Sequence, residues 1–261
     1  MRNMLFFVVL LMSSTVWAAE YHVSVNGKES GDGSVDNPFR CIQAAANIAQ
    51  PGDVITVHKG VYRERVNPPR GGESDEKRII YRAAPGEKVE IKGSEVITGW
   101  QNVRNDTWKV TLPNSFFGDY NPYSAELWGA WYRPVKGAIW YRPVKGFRRH
   151  TGAVYLNGTW LEESQTVEQA LEPAGDTLLW YAGVDKTNTT IWAQLKGYDQ
   201  EKDTVEINVR KLIFYPERRG CNYITLRAFI IRQAATPWCD GMTDMLAMVG
   251  TNLEQRLDYR R

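Results

Sequence analysis

The sequence predicts an all-β protein, most of it a β-solenoid of stacked short strands, interrupted by an inserted antiparallel β-domain. Three observations predict it. Short strands alternate apolar and polar residues, glycine or proline-glycine corners recur at roughly twenty-residue intervals, and one amphipathic helix lies near the start. An ordinary β-sandwich is the alternative, and the corner glycines and the early helix favour the solenoid.

The first elements follow that order. "EYHVSV" alternates like a strand, and "FRCIQAAANIAQPGD" carries apolar residues at helical spacing, with Pro51-Gly52 as a stop signal. "VITVHKGVYRERV" and "RIIYRAAPGEKVEIKGSEVITGW" repeat strand, corner and strand, with Gly60 at one sharp corner. We expect the helix to cover the open end of the stack, where backbone would otherwise be unpaired.

The pattern changes from Gln101 onward. "GAVYLNGTWLEE", "LLWYAGVD", "TTIWAQLKG" and "TVEINVR" are hairpin-like segments with Asn-Gly and other turn residues. We therefore expect the cap and first solenoid turns in residues 19–97, the insert in 98–210, and a return to the solenoid in 211–250.

The N-terminus has the features of a signal peptide in residues 1–18. Arg2, an apolar stretch and the small residues Val16 and Ala18 predict cleavage before Ala19 and export to the periplasm or the extracellular space. A retained anchor is the alternative. The apolar stretch is too short for a persuasive membrane span, so no span is expected after cleavage.

The composition limits the classes of molecule that the chain could bind. A formal net charge of +2 argues against nucleic acid. Cys41, Cys221 and Cys239 are widely spaced and support neither a zinc site nor a disulfide framework. No cofactor or metal is expected, and the sequence carries no signal for an oligomeric state. Ten Trp and thirteen Tyr suit sugar faces as well as cores.

A family resemblance covers about Glu20 to Trp238. "LPNSFFGDYNPY", "GAVYLNG", "WYAGVD", "FYPE", "NYITLRAF" and "QAATPW" occur in the order and spacing that resemble the β-xylosidases of glycoside hydrolase family 120. The resemblance implies a right-handed parallel β-helix, an early inserted β-sandwich and oligo- or polysaccharide substrates. It also implies two catalytic carboxylates on later turns. No position here matches them, so we assign no catalytic residue.

The C-terminal run "LEQRLDYRR" ends the chain unlike a solenoid turn. The resemblance implies a continuation such as Trp-Ser-Lys-Gly-Trp-Ile-Ile-Glu-Asp-Asn. Plausible codons for that run, shifted by one inserted nucleotide, translate to residues 253–261 and then a stop. We therefore expect residues 251–261 to be an out-of-frame tail and the chain to be a truncated fragment.

Aromatic side chains are the candidate sugar contacts. Trp128 and Trp131 lie in an aromatic loop of the insert, and Trp238 lies where the family cleft should begin. Packing of the insert on the solenoid is the alternative role for the first two.

Polar candidates have simpler explanations. His22 and His58 are interpreted as strand-face side chains rather than ligands, and His150 as part of a solvated basic patch. Asp32, between glycines, is interpreted as a turn residue rather than a calcium ligand.

Three functions remain in view. The leading one is an exported glycoside hydrolase fragment resembling β-xylosidases, inactive alone. The second is a polysaccharide lyase relative, which would need a base and a cation or arginine beside the uronate carboxylate. The third is a non-catalytic carbohydrate-binding or structural solenoid.

Overall fold

A computed structural model describes residues 18–126 and 149–236. In these residues strands dominate and helices are few and short, which confirms the all-β prediction. The strands are β1 Glu20–Lys28, β2 Val54–Val57, β3 Gly60–Tyr62, β4 Ile79–Ala83, β5 Val89–Lys92, β6 Ser94–Val96, β7 Gln101–Arg104, β8 Thr107–Pro113, β9 Val154–Leu156, β10 Thr159–Trp160, β11 Glu162–Glu163, β12 Leu179–Val184, β13 Asn188–Gln194, β14 Val205–Asn208, β15 Ile224–Arg227 and β16 Phe229–Arg232. The α-helices are α1 Ile42–Ile48 and α2 Val167–Leu171, and a 3₁₀ turn spans Asn114–Phe117.

Two sheets are entirely parallel. The first has the order β1-β2-β4-β15 and the second the order β16-β5-β3. The chain visits them alternately, passing from β2 to β3, from β4 to β5 and from β15 to β16. Each passage therefore adds one strand to each sheet.

Matching registers stack apolar side chains between these sheets. Ile55, Tyr81 and Leu226 occupy one row across the first sheet, and all three are buried. At the corner between β2 and β3, a Cβ on Gly60 would lie 2.6 Å from Cγ1 of Val25. The sharp corner predicted there therefore depends on glycine because the neighbouring side chain occupies the space.

Helix α1 packs on β1 and β2 and contributes Ile42, Ala45 and Ala46 to the buried core. Cys41 precedes the helix and makes no side-chain cap. Instead the Glu64 carboxylate accepts hydrogen bonds from the backbone N–H groups of Ile42 at 2.8 Å and Gln43 at 2.9 Å. The helix is thus capped from a distant loop.

Two further sheets hold the rest of the chain. A four-stranded antiparallel sheet has the order β10-β9-β14-β6, and a five-stranded sheet has the order β11-β12-β13-β8-β7, antiparallel except for the β11–β12 pair. Their shared core includes Trp100, Tyr123 and Trp180. Because β6 follows β5 after a single residue, the chain passes directly from a parallel sheet into an antiparallel one.

Several predicted features fall outside the described residues: the signal-peptide stretch 1–17, Cys239 and the tail 251–261. Within residues 18–126 and 149–236 no helix has the length and apolarity needed to cross a membrane.

The tertiary cap on α1 gives a stability test. We expect Glu64→Ala to lower the free energy of unfolding by about 1–2 kcal/mol, because two helix N–H groups lose their acceptor. The pKa of Glu64 is raised by burial, although both amide bonds favour the charged form. Glu64→Gln keeps one acceptor oxygen and should cost less. Urea unfolding followed by circular dichroism measures both changes.

The matched control is Glu73→Ala, which removes an exposed pair with Lys77. It should change stability by less than about 0.5 kcal/mol. Equal losses for Glu64→Ala and Glu73→Ala would contradict the assigned cap.

Candidate functional site

The three candidate sugar contacts, Trp128, Trp131 and Trp238, lie outside the described residues. Their neighbours in the chain are described up to Glu126, from Arg149, and up to Thr236.

A hydrogen-bonded cluster, which we call the Tyr120 junction, joins the three chain segments that end or begin at these residues. The Tyr120 hydroxyl donates to the Ala235 carbonyl at 2.7 Å and lies 2.6 Å from Oγ1 of Thr151. The Asn208 amide donates to the Thr151 carbonyl at 2.8 Å, and its Oδ1 accepts from the Ala153 N–H at 2.7 Å. Three segments that border the candidate tryptophans in sequence are therefore joined through Tyr120, Thr151 and Ala235.

His150 is not the solvated residue that the sequence suggested. Its Nδ1 lies 2.6 Å from Oε1 of Glu163, and its backbone N–H donates to the other carboxylate oxygen at 2.9 Å. The Glu163 side chain is 8% exposed. The basic-patch interpretation is wrong for His150 because a buried carboxylate contacts both its backbone N–H and its Nδ1.

His22 and His58 contact each other on the first parallel sheet, with His22 Nδ1 3.0 Å from His58 Nε2. His58 Nδ1 lies 3.4 Å from Oε1 of Glu87. His22 therefore agrees with a strand-face side chain, whereas His58 lies one residue beyond the end of β2. Asp32 accepts a hydrogen bond from the Ser34 N–H at 2.9 Å, as predicted for a turn residue.

The described residues contain no group of three or more His, Cys, Asp and Glu side chains that could hold a metal ion. Cys41 and Cys221 are both free, and burial raises the pKa of each thiol.

The most strongly charged buried cluster surrounds Glu206 on β14, whose side chain is 3% exposed. Lys92 Nζ on β5 lies 2.8 Å and 3.1 Å from its two carboxylate oxygens. Arg63 donates to Oε1 at 2.6 Å and Gln233 to Oε2 at 3.2 Å. Ser94 accepts from Arg63 at 2.9 Å and donates to Gln233 at 2.6 Å. We call these five residues the Glu206 cluster.

The Glu206 cluster holds its carboxylate in the charged form. Burial opposes ionisation, but the Lys92, Arg63 and Gln233 hydrogen bonds outweigh it and lower the pKa of Glu206 to about 2. The stabilisation is therefore complete above the ordinary pKa and is lost as pH falls towards about 2. A general acid needs the opposite shift, so Glu206 is suited to joining sheets rather than to donating a proton.

Other buried carboxylates in the described residues are also engaged. Asp53 accepts the N–H groups of Ala19 and Gln50, Glu90 pairs with Lys88 and Arg232, and Glu163 pairs with His150. Retaining glycoside hydrolysis needs two carboxyl groups facing a sugar, one of them protonated. We assign that role to none of them, and the absence of a catalytic pair stays a prediction.

Sequence reasoning missed the Glu206 cluster. "VEIN" and "VEIK" alternate apolar and polar residues, which predicts strands with one solvent-exposed face. All four residues of β14 and all four of β5 are buried instead. The available signal was a charged residue in each of two short strands, Glu206 within β14 and Lys92 at the end of β5.

Removing the Glu206 charge should destabilise the protein strongly. We expect Glu206→Gln to cost about 3–5 kcal/mol, because the Lys92 ammonium, with an 8% exposed side chain, loses its counter-ion. The double variant Glu206→Leu with Lys92→Met should recover much of that loss by removing both buried charges. Urea unfolding at neutral pH measures all three proteins.

Glu217→Gln is the control, since Glu217 pairs with Arg65 at 2.6 Å but its side chain is 59% exposed. It should cost less than about 1 kcal/mol. A Glu206→Gln effect no larger than this control would show that the cluster contributes little.

Comparisons with known proteins place the chain in a family context. Residues 97–207 match the family model described as "Glycoside hydrolase 120, insertion domain". The solved structure "The complex structure of XylC with xylose" is 42% identical, with a TM-score of 0.75, covering 84% of this chain and 36% of that one. The uncharacterized protein YwoF of Bacillus subtilis strain 168 is 32% identical over 75 residues, which are 29% of this chain and 16% of YwoF. The chain thus spans well under two thirds of either relative, and these matches support a glycoside hydrolase 120-like protein.

Proposed function

We propose that this chain is an exported carbohydrate-recognising protein of the glycoside hydrolase 120 type, with xylo-oligosaccharides as its ligands. The observation that carries the proposal is the similarity to the solved structure of XylC in complex with xylose. The match extends over both parallel sheets and the insert, since it covers 84% of the chain.

The proposed architecture is a right-handed parallel β-helix with α1 as its N-terminal cap and an inserted β-sandwich in residues 98–210. Alternate visits of the chain to two parallel sheets support the solenoid, because each β-helix turn contributes one strand to each sheet. The buried face of α1 against β1 and β2 supports the cap.

Sugar contacts are proposed at Trp128, Trp131 and Trp238. The support is the Tyr120 junction, which ties Thr151 and Ala235 to one hydroxyl group. Thr151 and Ala235 belong to segments that border the candidate tryptophans in sequence and are held at one point of the fold. An aromatic ring presents an apolar plate to the C–H face of a sugar.

We further propose that the chain binds sugar without hydrolysing it. The support is that the buried carboxylates named above each accept from a cation, a histidine or backbone N–H groups. A carboxylate with its lone pairs occupied is a poor nucleophile and a poor acid.

Ligand binding tests this proposal. The purified chain should bind xylohexaose in isothermal titration calorimetry, and Trp131→Ala or Trp238→Ala should weaken binding about tenfold through lost apolar contact. Trp160→Ala, in the same insert, should change it less than about twofold. The chain should release no chromophore from an aryl β-xyloside.

Two results would overturn parts of the proposal. Aryl xyloside hydrolysis that disappears on changing a carboxylate of this chain would disprove the non-catalytic role. A chromophoric unsaturated product from a uronate polymer would instead identify a lyase.

We propose cleavage before Ala19, and the contacts of Ala19 support it. Its backbone nitrogen lies 2.8 Å from Oδ1 of Asp53, which is 3% exposed, and its carbonyl accepts from the Val54 N–H at 2.9 Å. Cleavage before Ala19 would turn this amide into an α-ammonium group beside a buried carboxylate. Because a charged donor strengthens the hydrogen bond to a carboxylate, cleavage should make the contact with Asp53 more stabilising.

A double-mutant comparison measures how much the α-ammonium group adds to the free energy of unfolding. We expect Asp53→Asn to destabilise a chain beginning at Ala19 by about 1–3 kcal/mol more than it destabilises the unprocessed chain, because only the former loses an ion pair. Urea unfolding of the four proteins gives the difference. An equal effect in both backgrounds would remove this support for cleavage before Ala19.

A further inference from the structure

The outer face of the five-stranded sheet carries an unusual set of side chains. Its inner face supplies Val110, Trp180 and Ile191 to the insert core. The alternate residues of the same strands point outward. On that outer face Tyr181 on β12 and Trp192 on β13 lie directly opposite each other, with ring centroids 6.0 Å apart.

Helix α2 covers only one end of this face. The buried Gln194 donates to the carbonyls of Gln169 at 3.1 Å and Ala170 at 3.0 Å, and Thr107 also donates to Ala170 at 2.7 Å. The next two outward rows along the strands lie beyond these contacts. They contain exposed or partly exposed residues: Gln101, Lys109, Thr111, Tyr181, Thr190 and Trp192.

A glycine shapes the surface beside the rings. Gly183 stands opposite Thr190, and a Cβ built on it would lie 3.5 Å from Cζ3 of Trp192 and 4.0 Å from Cε1 of Tyr181. Both rings therefore border the backbone of Gly183, where there is no side chain to cover them. Thr111 and Thr190 lie across from it, with their hydroxyl oxygens 2.9 Å apart.

We propose that this surface, the Tyr181–Trp192 face, is a carbohydrate-binding site separate from the Tyr120 junction. Two partly exposed aromatic rings offer apolar contact to the C–H side of a sugar ring. Hydroxyl, amide and ammonium groups border them and can bond to sugar hydroxyls, the combination of apolar lining and a few polar groups that ligand sites share. The ligand class, a xylo-oligosaccharide, rests on the proposed function.

A second copy of the chain fits this face less well. Stable protein interfaces use about 20–30 residues on each side, and their cores are depleted of lysine. The Tyr181–Trp192 face offers six side chains, and Lys109 stands in the same row as both rings. A single bound sugar chain needs only a few such contacts.

The test uses the full chain and xylohexaose, with two binding sites resolved by isothermal titration calorimetry. Tyr181→Ala and Trp192→Ala should each weaken one site about tenfold. Trp160→Ala is the matched control, because Trp160 lies in the same insert with 67% exposure but on another sheet. It should leave both affinities within about twofold.

Gly183→Val tests the same site without removing either ring, so it remains informative if an alanine variant fails to fold. Its Cβ would make ordinary contacts at 3.5 Å and 4.0 Å, and valine favours strands, so the fold should be kept. The added side chain would cover the rings and should abolish the same site that the alanine changes weaken.

Each outcome decides between the proposals. Affinities unchanged by Tyr181→Ala, Trp192→Ala and Gly183→Val, but lowered by Trp238→Ala, would overturn this site and leave the proposed function intact. No xylohexaose binding by the unmodified folded chain would overturn both. A dimer in sedimentation velocity that dissociates on Trp192→Ala would assign the face to a second copy instead.

Discussion

Charge compensation at Glu206 is the constraint on which the arrangement of the sheets depends. Lys92 lies on a strand of the second parallel sheet, and Glu206 on a strand of the antiparallel sheet that belongs to the insert. Both side chains are almost fully buried, so neither charge has enough water to solvate it. Separating the two sheets would leave two uncompensated charges, which is why the insert has a defined position on the parallel sheets.

Elements with a local cause could be predicted from the sequence. The helix follows from three consecutive alanines and ends at Ile48, before the predicted stop at Pro51. Strand alternation gave the all-β class, and the Asn157-Gly158 turn joins β9 to β10 in the left-handed conformation that this dipeptide favours.

Features made by distant parts of the chain were not predictable in the same way. Glu64 caps a helix that starts 22 residues earlier, and Lys92 and Glu206 are 114 residues apart. A period-two pattern records which residues alternate but not whether a second element covers the polar face. His150 was misjudged for the same reason, because its partner Glu163 arrives from a later strand.

Aromatic residues show most clearly what could not be predicted from the sequence. Trp180 and Tyr181 are neighbours in one strand with equal apolar character, yet Trp180 is 1% exposed in the core and Tyr181 faces outward. The direction of each side chain is set by the register of β12 with β13 and β11, which no local pattern contains. The candidate contacts chosen from the sequence were therefore loop tryptophans, and the strand pair went unnoticed.

The fixed joint between the insert and the parallel sheets bears on both carbohydrate proposals. The Glu206 cluster and the Tyr120 junction bond the two regions at separate points, through Lys92 to Glu206 and through Tyr120 to Ala235. A sugar chain held on the Tyr181–Trp192 face would therefore stay at a constant distance from the junction. Two weak sites at a fixed spacing bind a long chain more tightly than either alone, because the second contact is made at a high effective concentration. Oligosaccharide length, rather than sugar identity alone, would then determine affinity.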